Sequence, residues 1–314
     1  MKRLDRILTI VDPTSDVQPA MDKARLLAQR SGATLELFIC DFDPSLSGRP
    51  FAETARLHRL RDEFMAERLE FLDELADEIR SGGLPVETHV HWDNPVHHGV
   101  LRRVQESSPD LVVKDTHHHS AIRRTLFTNT DWNLIRSCPV PLLLAKPSEW
   151  PARPRILAAL DPEHVGDAAA TLDHAIIEGA QLLASRLDGE AHVVHAFFPA
   201  ALLAAVMGTG ALPFAAGVDP TDVVERERKR IGAVIAAVAH EIPPGRVHLE
   251  QGNATDVLLR VAHSLPADLL VMGAVSRSRL QQLFVGSTAE LVLDRLPCDV
   301  LIVKPPGLSQ ASSD

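Results

Sequence analysis

The sequence predicts an α/β chain built as two tandem, doubly wound domains, each a five-stranded parallel sheet covered by helices on both faces. Three observations predict it. Short, β-branched apolar runs alternate with longer amphipathic stretches, and such continuous apolar strands between helices belong to parallel sheets buried on both sides. The chain also repeats itself in order. Ile7-Leu8-Thr9-Ile10-Val11-Asp12-Pro13 returns as Ile156-Leu157-Ala158-Ala159-Leu160-Asp161-Pro162, Asp110-Leu111-Val112-Val113 as Asp268-Leu269-Leu270-Val271, and Cys138-Pro139-Val140 as Cys298-Asp299-Val300. Finally, 314 residues suffice for two domains, each of the common size of about 150 residues.

The elements follow in order. The first half offers strands at Ile7–Val11, Thr34–Ile39, Val86–His91, Leu111–Lys114 and Leu142–Ala145. The second offers Arg155–Leu160, Ala191–Ala196, Val247–Glu250, Leu269–Met272 and Val300–Val303, with helices between them such as Ala168–Leu187 and Asp222–His240. The proline-rich stretch 147–154 reads as a short stiff linker between domains at 1–146 and 155–305, and 306–314 as a flexible tail. In doubly wound folds ligands sit beyond the carboxyl ends of the strands. Asp12 and Asp161, each closing a first strand, are therefore placed on the ligand edge, either as turn caps before a proline or as ligand contacts. The recurrence of the position beside a glycine loop favours contact for Asp161.

Composition narrows the function. The hydrophobic fraction of 45% and charged fraction of 24% are those of an ordinary globular protein. The run from Phe197 to Ala216 is broken by Pro199, Gly208, Gly210 and Pro213, so nothing reaches the ~18 apolar residues of a membrane span. Met1 to Arg6 lead straight into a strand without a secretory apolar region, and three cysteines form no CxxC pair, so a reducing cytoplasm is expected. The formal charge of −10 leaves no footprint for nucleic acid, and the basic run Arg226 to Arg230, interleaved with Glu225, reads as a solvated helix face.

The sharpest motif is Gly273-Ala274-Val275-Ser276 followed, nine residues on, by Gly286-Ser287-Thr288, directly after the strand 269–272 and opening the amphipathic segment Ala289–Leu296. Helix N-termini present unpaired N–H groups and a positive dipole end, and glycine permits close backbone approach, so such a loop can hold phosphate. This pattern, with the strand-end Asp-Pro and the late Cys-x-Val, resembles the universal stress protein family over essentially residues 1–305. The resemblance implies an adenine nucleotide alpha hydrolase-like fold, a stress-response binding or sensor role, and ATP as ligand. It places nucleotide contacts on Asp161, Gly273, Ser276, Gly286, Ser287 and Thr288, with backbone near Ala196 at the adenine. Ser276 departs from the family's second glycine and adds a side chain where the triphosphate approaches. The first half departs further, with Asp115 where Gly273 stands and His118 where Ser276 stands. An anionic side chain there repels phosphate, so the first half is not expected to bind ATP.

Two other features call for a reading. His97, His98, His117, His118 and His119 follow strand ends near Asp115 and Asp93, and imidazoles with a carboxylate can bind a transition metal. Their spacing matches no established site, and surface or backbone-bonded histidines are the simpler reading. The apolar stretch Phe197–Gly208 with Ala211–Phe214 must cover a core, line an apolar ligand pocket, or meet a partner. Two alternatives to nucleotide sensing thus stay open: an interaction scaffold or binder of lipid-like ligands with drifted pockets, and a weak ATPase, for which Arg277 and Arg279 are the nearby cations. The duplication also suggests a homodimer-like contact reproduced within one chain, alongside homodimerisation of the whole chain.

Overall fold

The structure is a computed structural model that describes residues 3–47, 55–119, 124–162, 167–197, 220–238, 242–273 and 291–305. The chain divides into two compact units, one from Arg3 to Glu149 and one from Trp150 onward.

Unit 1 carries strands β1 (Arg6–Ile10), β2 (Thr34–Asp41), β3 (Val86–Trp92), β4 (Leu111–Asp115) and β7 (Leu142–Ala145), ordered β7-β4-β1-β2-β3. All four pairings are parallel. Helices α1 (Pro19–Ser31), α2 (Ala55–Ser81), α3 (Val96–Ser107) and α4 (Asn129–Ser137) connect them. Local chemistry sets their ends. Pro19 sits in the first turn of α1, where its missing N–H costs nothing, and Gly32 closes the helix at φ 76°. Thr128 caps α4 reciprocally with Asp131. Ile7, Leu8, Leu35, Leu37, Phe38, Ile39, Val112 and Val113 are fully buried, as strands covered on both faces require.

Unit 2 repeats the plan with β8 (Arg155–Leu160), β9 (Glu190–Phe197), β10 (Val247–Gln251), β11 (Leu269–Gly273) and β12 (Asp299–Val303), ordered β10-β9-β8-β11-β12 and all parallel. Its described helices are α5 (Asp167–Arg186), α6 (Pro220–Ala237) and α7 (Ala254–Ser264). Asn253 caps α7 by accepting from the Thr255 N–H. Among the described residues no helix is long and apolar enough to cross a membrane.

The repeated Asp110 and Asp268 have matching structural duties. Asp110 Oδ2 accepts the N–H groups of Asp5 and Arg6 at 2.7 and 3.1 Å, and Asp268 Oδ2 accepts that of Arg155 at 2.8 Å. Each aspartate thereby anchors the start of its unit's first strand. The linker residue Trp150 donates from Nε1 to the fully buried Asp299 at 2.7 Å, which fixes it to the start of β12.

The strands expected from the sequence all form. One element was not expected: instead of a plain loop after β4, His117–His119 form strand β5, antiparallel to β6 (Arg124–Leu126). Backbone pairing within a polar segment leaves no apolar period to read.

Unit 1 also buries the Glu36 carboxylate completely. Glu36 lies between Arg6, 3.3 Å away, and Arg103, which donates from Nε, while Arg6 reaches on to Glu87 at 2.6 Å. Removing one member of a buried ion pair strands the other charge. Glu36→Gln should therefore lower the unfolding free energy by about 3 kcal/mol, measured by urea denaturation. An unchanged midpoint would mean that Glu87 and Glu106 alone suffice for the two arginines.

Candidate functional site

Strand register brings the second-unit candidates together. Leu160 lies opposite His195, so Asp161 follows beside Ala196. Val271 lies opposite Ala158, so Gly273 falls beside Leu160. Asp161, Ala196 and Gly273 thus meet at the carboxyl ends of three adjacent strands, where ligands bind in such folds. The Asp161 N–H reaches Oδ1 of the buried Asp173 on α5 at 3.3 Å. Ser276, Gly286, Ser287 and Thr288 lie outside the described residues, as do Arg277, Arg279 and the apolar run after Phe197.

Gly273 has a packing reason of its own. A Cβ there would stand 2.7 Å from Cδ2 of Leu172 on α5. The missing side chain lets the helix approach the strand end, independently of any ligand.

Unit 1 fills the same edge with its own polar groups. By register Lys114 and Asp115 hold the places of Met272 and Gly273. Asp115 Oδ1 accepts the Ala20 N–H at 2.6 Å, so a carboxylate from β4 meets the amino end of α1. Lys114 Nζ pairs with Asp131 Oδ1 at 2.8 Å and donates to the Asp115 carbonyl at 2.9 Å. Asp131, fully buried, accepts from the Thr128 N–H and hydroxyl through Oδ2 at 2.7 and 2.8 Å. A second carboxylate thus meets the amino end of α4. Lys23, also buried, donates to the Lys146 carbonyl at 2.7 Å. Eleven residues beyond the strand-end aspartate, unit 1 has Lys23 where unit 2 has Leu172. The amino ends of α1 and α4 in unit 1 are therefore each met by an aspartate of the chain itself.

Burial pushes the Asp115 carboxyl up to about 6, against the pull of the Ala20 N–H, Lys114 and Lys23. Asp12 folds back on its own turn, accepting from the Thr14 N–H and hydroxyl at 2.8 and 2.6 Å. At this position the turn-capping reading holds.

His97 and His98 sit in the first turn of α3 with rings 4.5 Å apart, and His97 Nδ1 lies 3.5 Å from the Asn133 amide. Asp115 is committed to α1, and the backbone of His117, His118 and His119 forms β5. Among the described residues no group of three His, Cys, Asp or Glu side chains is arranged to hold a metal.

Sequence reasoning missed two polar clusters. The Lys114–Asp131 pair left a legible trace, since Thr128-x-x-Asp131 is a capping-box pattern. The second is in unit 2, where Glu227, within the basic run read as a solvated face, is buried and paired with Arg230 at 3.0 Å. A lone acidic residue among cations gives no period from which to infer burial.

Two measurements probe unit 1. Because the folded Asp115 carboxyl titrates above its unfolded counterpart, its contribution to stability is present at low pH and lost as pH rises from about 4 to about 6. Relative to Asp115→Asn, the wild-type chain should lose on the order of 2–3 kcal/mol over that window, followed by denaturation at several pH values. A flat difference would contradict the assignment. Asp131→Ala should cost about 3–5 kcal/mol by stranding Lys114 and uncapping α4. Inorganic phosphate should raise that variant's melting temperature more than the wild type's, and equal shifts would refute the anion-like role of Asp131.

Comparison with known proteins agrees with this architecture. The family model described as "Universal stress protein family" matches residues 3–146 and again 153–304. Universal stress protein E of Escherichia coli K12 is 28% identical over 308 residues, covering 97% of this chain and 95% of that protein. Universal stress protein E of Photorhabdus laumondii is 27% identical over 313 residues, covering 98% and 97%. Among solved structures, a functionally unknown protein of Pseudomonas aeruginosa PAO1 superposes with a TM-score of 0.73 at 26% identity, covering 98% of this chain and 95% of that one. A universal stress protein of Archaeoglobus fulgidus shares the fold, with a TM-score of 0.68 at 18% identity over 96% and 98%. With both halves matched, and full-length relatives built on the same tandem plan, the chain belongs to the universal stress protein family.

Proposed function

We propose that this chain is a stress-response binding protein with one nucleotide site, at the carboxyl edge of unit 2, and that ATP is a ligand of that site. The observation that carries the reading is the contrast between the two edges. Unit 1 places Lys114 and Asp115 at the end of its fourth strand and commits two carboxylates to helix amino ends. Unit 2 has Met272 and Gly273 at the matching positions, neither of which brings a charge, and Gly273 adds no side chain at the strand end. Asp161 and the backbone at Ala196 stand beside one another across β8 and β9, suited to the adenosine part. Gly286, Ser287 and Thr288 supply backbone N–H groups and hydroxyls for the phosphates.

Calorimetric titration tests this. ATP should bind at one equivalent per chain, and Gly286→Asp should weaken it by about tenfold or more, by placing a like charge in the loop. Gly273→Asp would be a poor probe because its side chain would strike Leu172. Two equivalents per chain, or binding untouched by Gly286→Asp, would overturn the reading. So would the absence of binding at saturating ATP.

A further inference from the structure

A buried histidine lies directly under this edge. His195 on β9 is 1% exposed, and its Nδ1 stands 3.2 Å from the Leu160 carbonyl oxygen. A carbonyl can only accept, so Nδ1 carries the proton and donates. Among the described residues the ring's Nε2 has no hydrogen-bond partner, and it faces Glu227 Oε2 at 3.6 Å. Glu227, on α6 and 4% exposed, is held in turn by Arg230 at 3.0 and 3.3 Å. The ring also lies near-parallel to Phe197, at an interplanar angle of 24°. Leu160 immediately precedes Asp161, and His195 immediately precedes Ala196. One imidazole therefore touches the backbone behind both proposed adenosine contacts.

The duplication supplies an internal control. Ile10 lies opposite Phe38, so the place of His195 is taken in unit 1 by Ile39, which is fully buried. The fold itself is thus content with an aliphatic side chain there. Burying an imidazole and a carboxylate is costly unless they are well paired and hydrogen-bonded, and unit 1 avoids that cost with Ile39.

We propose that His195 is a positioning residue for the nucleotide site of unit 2: through its hydrogen bond to the Leu160 carbonyl it sets the Asp161 end of β8. The proposal rests on the nucleotide reading above and names a further residue on which that site depends.

Three variants separate positioning from packing. His195→Ile imports the residue of unit 1 and should fold, with a melting temperature at or above that of the wild type. Its ATP affinity should fall about tenfold, the scale of one lost buried hydrogen bond. His195→Asn keeps a donor where Nδ1 stood and should bind ATP within about threefold of the wild type, whereas His195→Gln should behave like His195→Ile. Amide hydrogen exchange at Asp161 gives a readout independent of nucleotide. It should quicken about tenfold in His195→Ile and stay slow in His195→Asn, with the amides of Ile156 to Ala158 unchanged in both. Wild-type ATP affinity in His195→Ile, or affinity lost equally in His195→Asn, would overturn the proposal. If the wild-type chain binds no ATP, the nucleotide reading fails and the exchange rates alone decide, an unaltered Asp161 rate ruling the positioning role out.

Discussion

A doubly wound sheet sends the amino ends of its helices toward the carboxyl edge of its strands, and the N–H groups and positive dipole ends gathered there favour an anion. In unit 1 the anions are Asp115, against α1, and Asp131, against α4, with Lys114 balancing the second. They are part of the chain, so these two helix ends are met without a ligand. In unit 2 the fourth strand ends in Gly273, and in the proposed function the anion comes from outside. The difference in proposed function between the units reduces to where the negative charge comes from.

Because the chain carries the same plan twice, each unit shows what the other could have been. Glu36 and His192 hold matching places, opposite Leu8 and Leu157 on the first strand of their units. Unit 1 pairs its buried glutamate with Arg6 and Arg103. Unit 2 sets His192 against His248 at 3.2 Å, and burial holds both imidazoles below their usual range. The fold tolerates either solution at this site. At the ligand edge the exchanges are of another kind, since Lys114 to Met272 and Asp115 to Gly273 remove charge and Ile39 to His195 adds a polar group beneath the strand end.

Much of this was legible from residues alone. The strands announced themselves as apolar runs, and the repeated Asp110 and Asp268 marked matching positions whose duty, anchoring the first strand, only the structure shows. The place of Asp115 opposite Gly273 of the other repeat was legible too, but its partner, the Ala20 N–H, lies far back in sequence, and no spacing rule links them. The pairs Lys114–Asp131 and His195–Glu227 escaped for the same reason: periodicity reports which face is apolar, whereas a buried polar contact depends on two elements meeting in space. The β5–β6 hairpin escaped because polar residues carry it.

The most direct test of where the anion resides is a crystal structure of the full chain grown with ATP. The account predicts a triphosphate between Gly273 and Thr288, the adenosine beside Asp161 and Ala196, and unit 1 with Asp115 and Asp131 still on their helix ends. Nucleotide on the unit 1 edge with those aspartates displaced, or bound away from both edges, would contradict it.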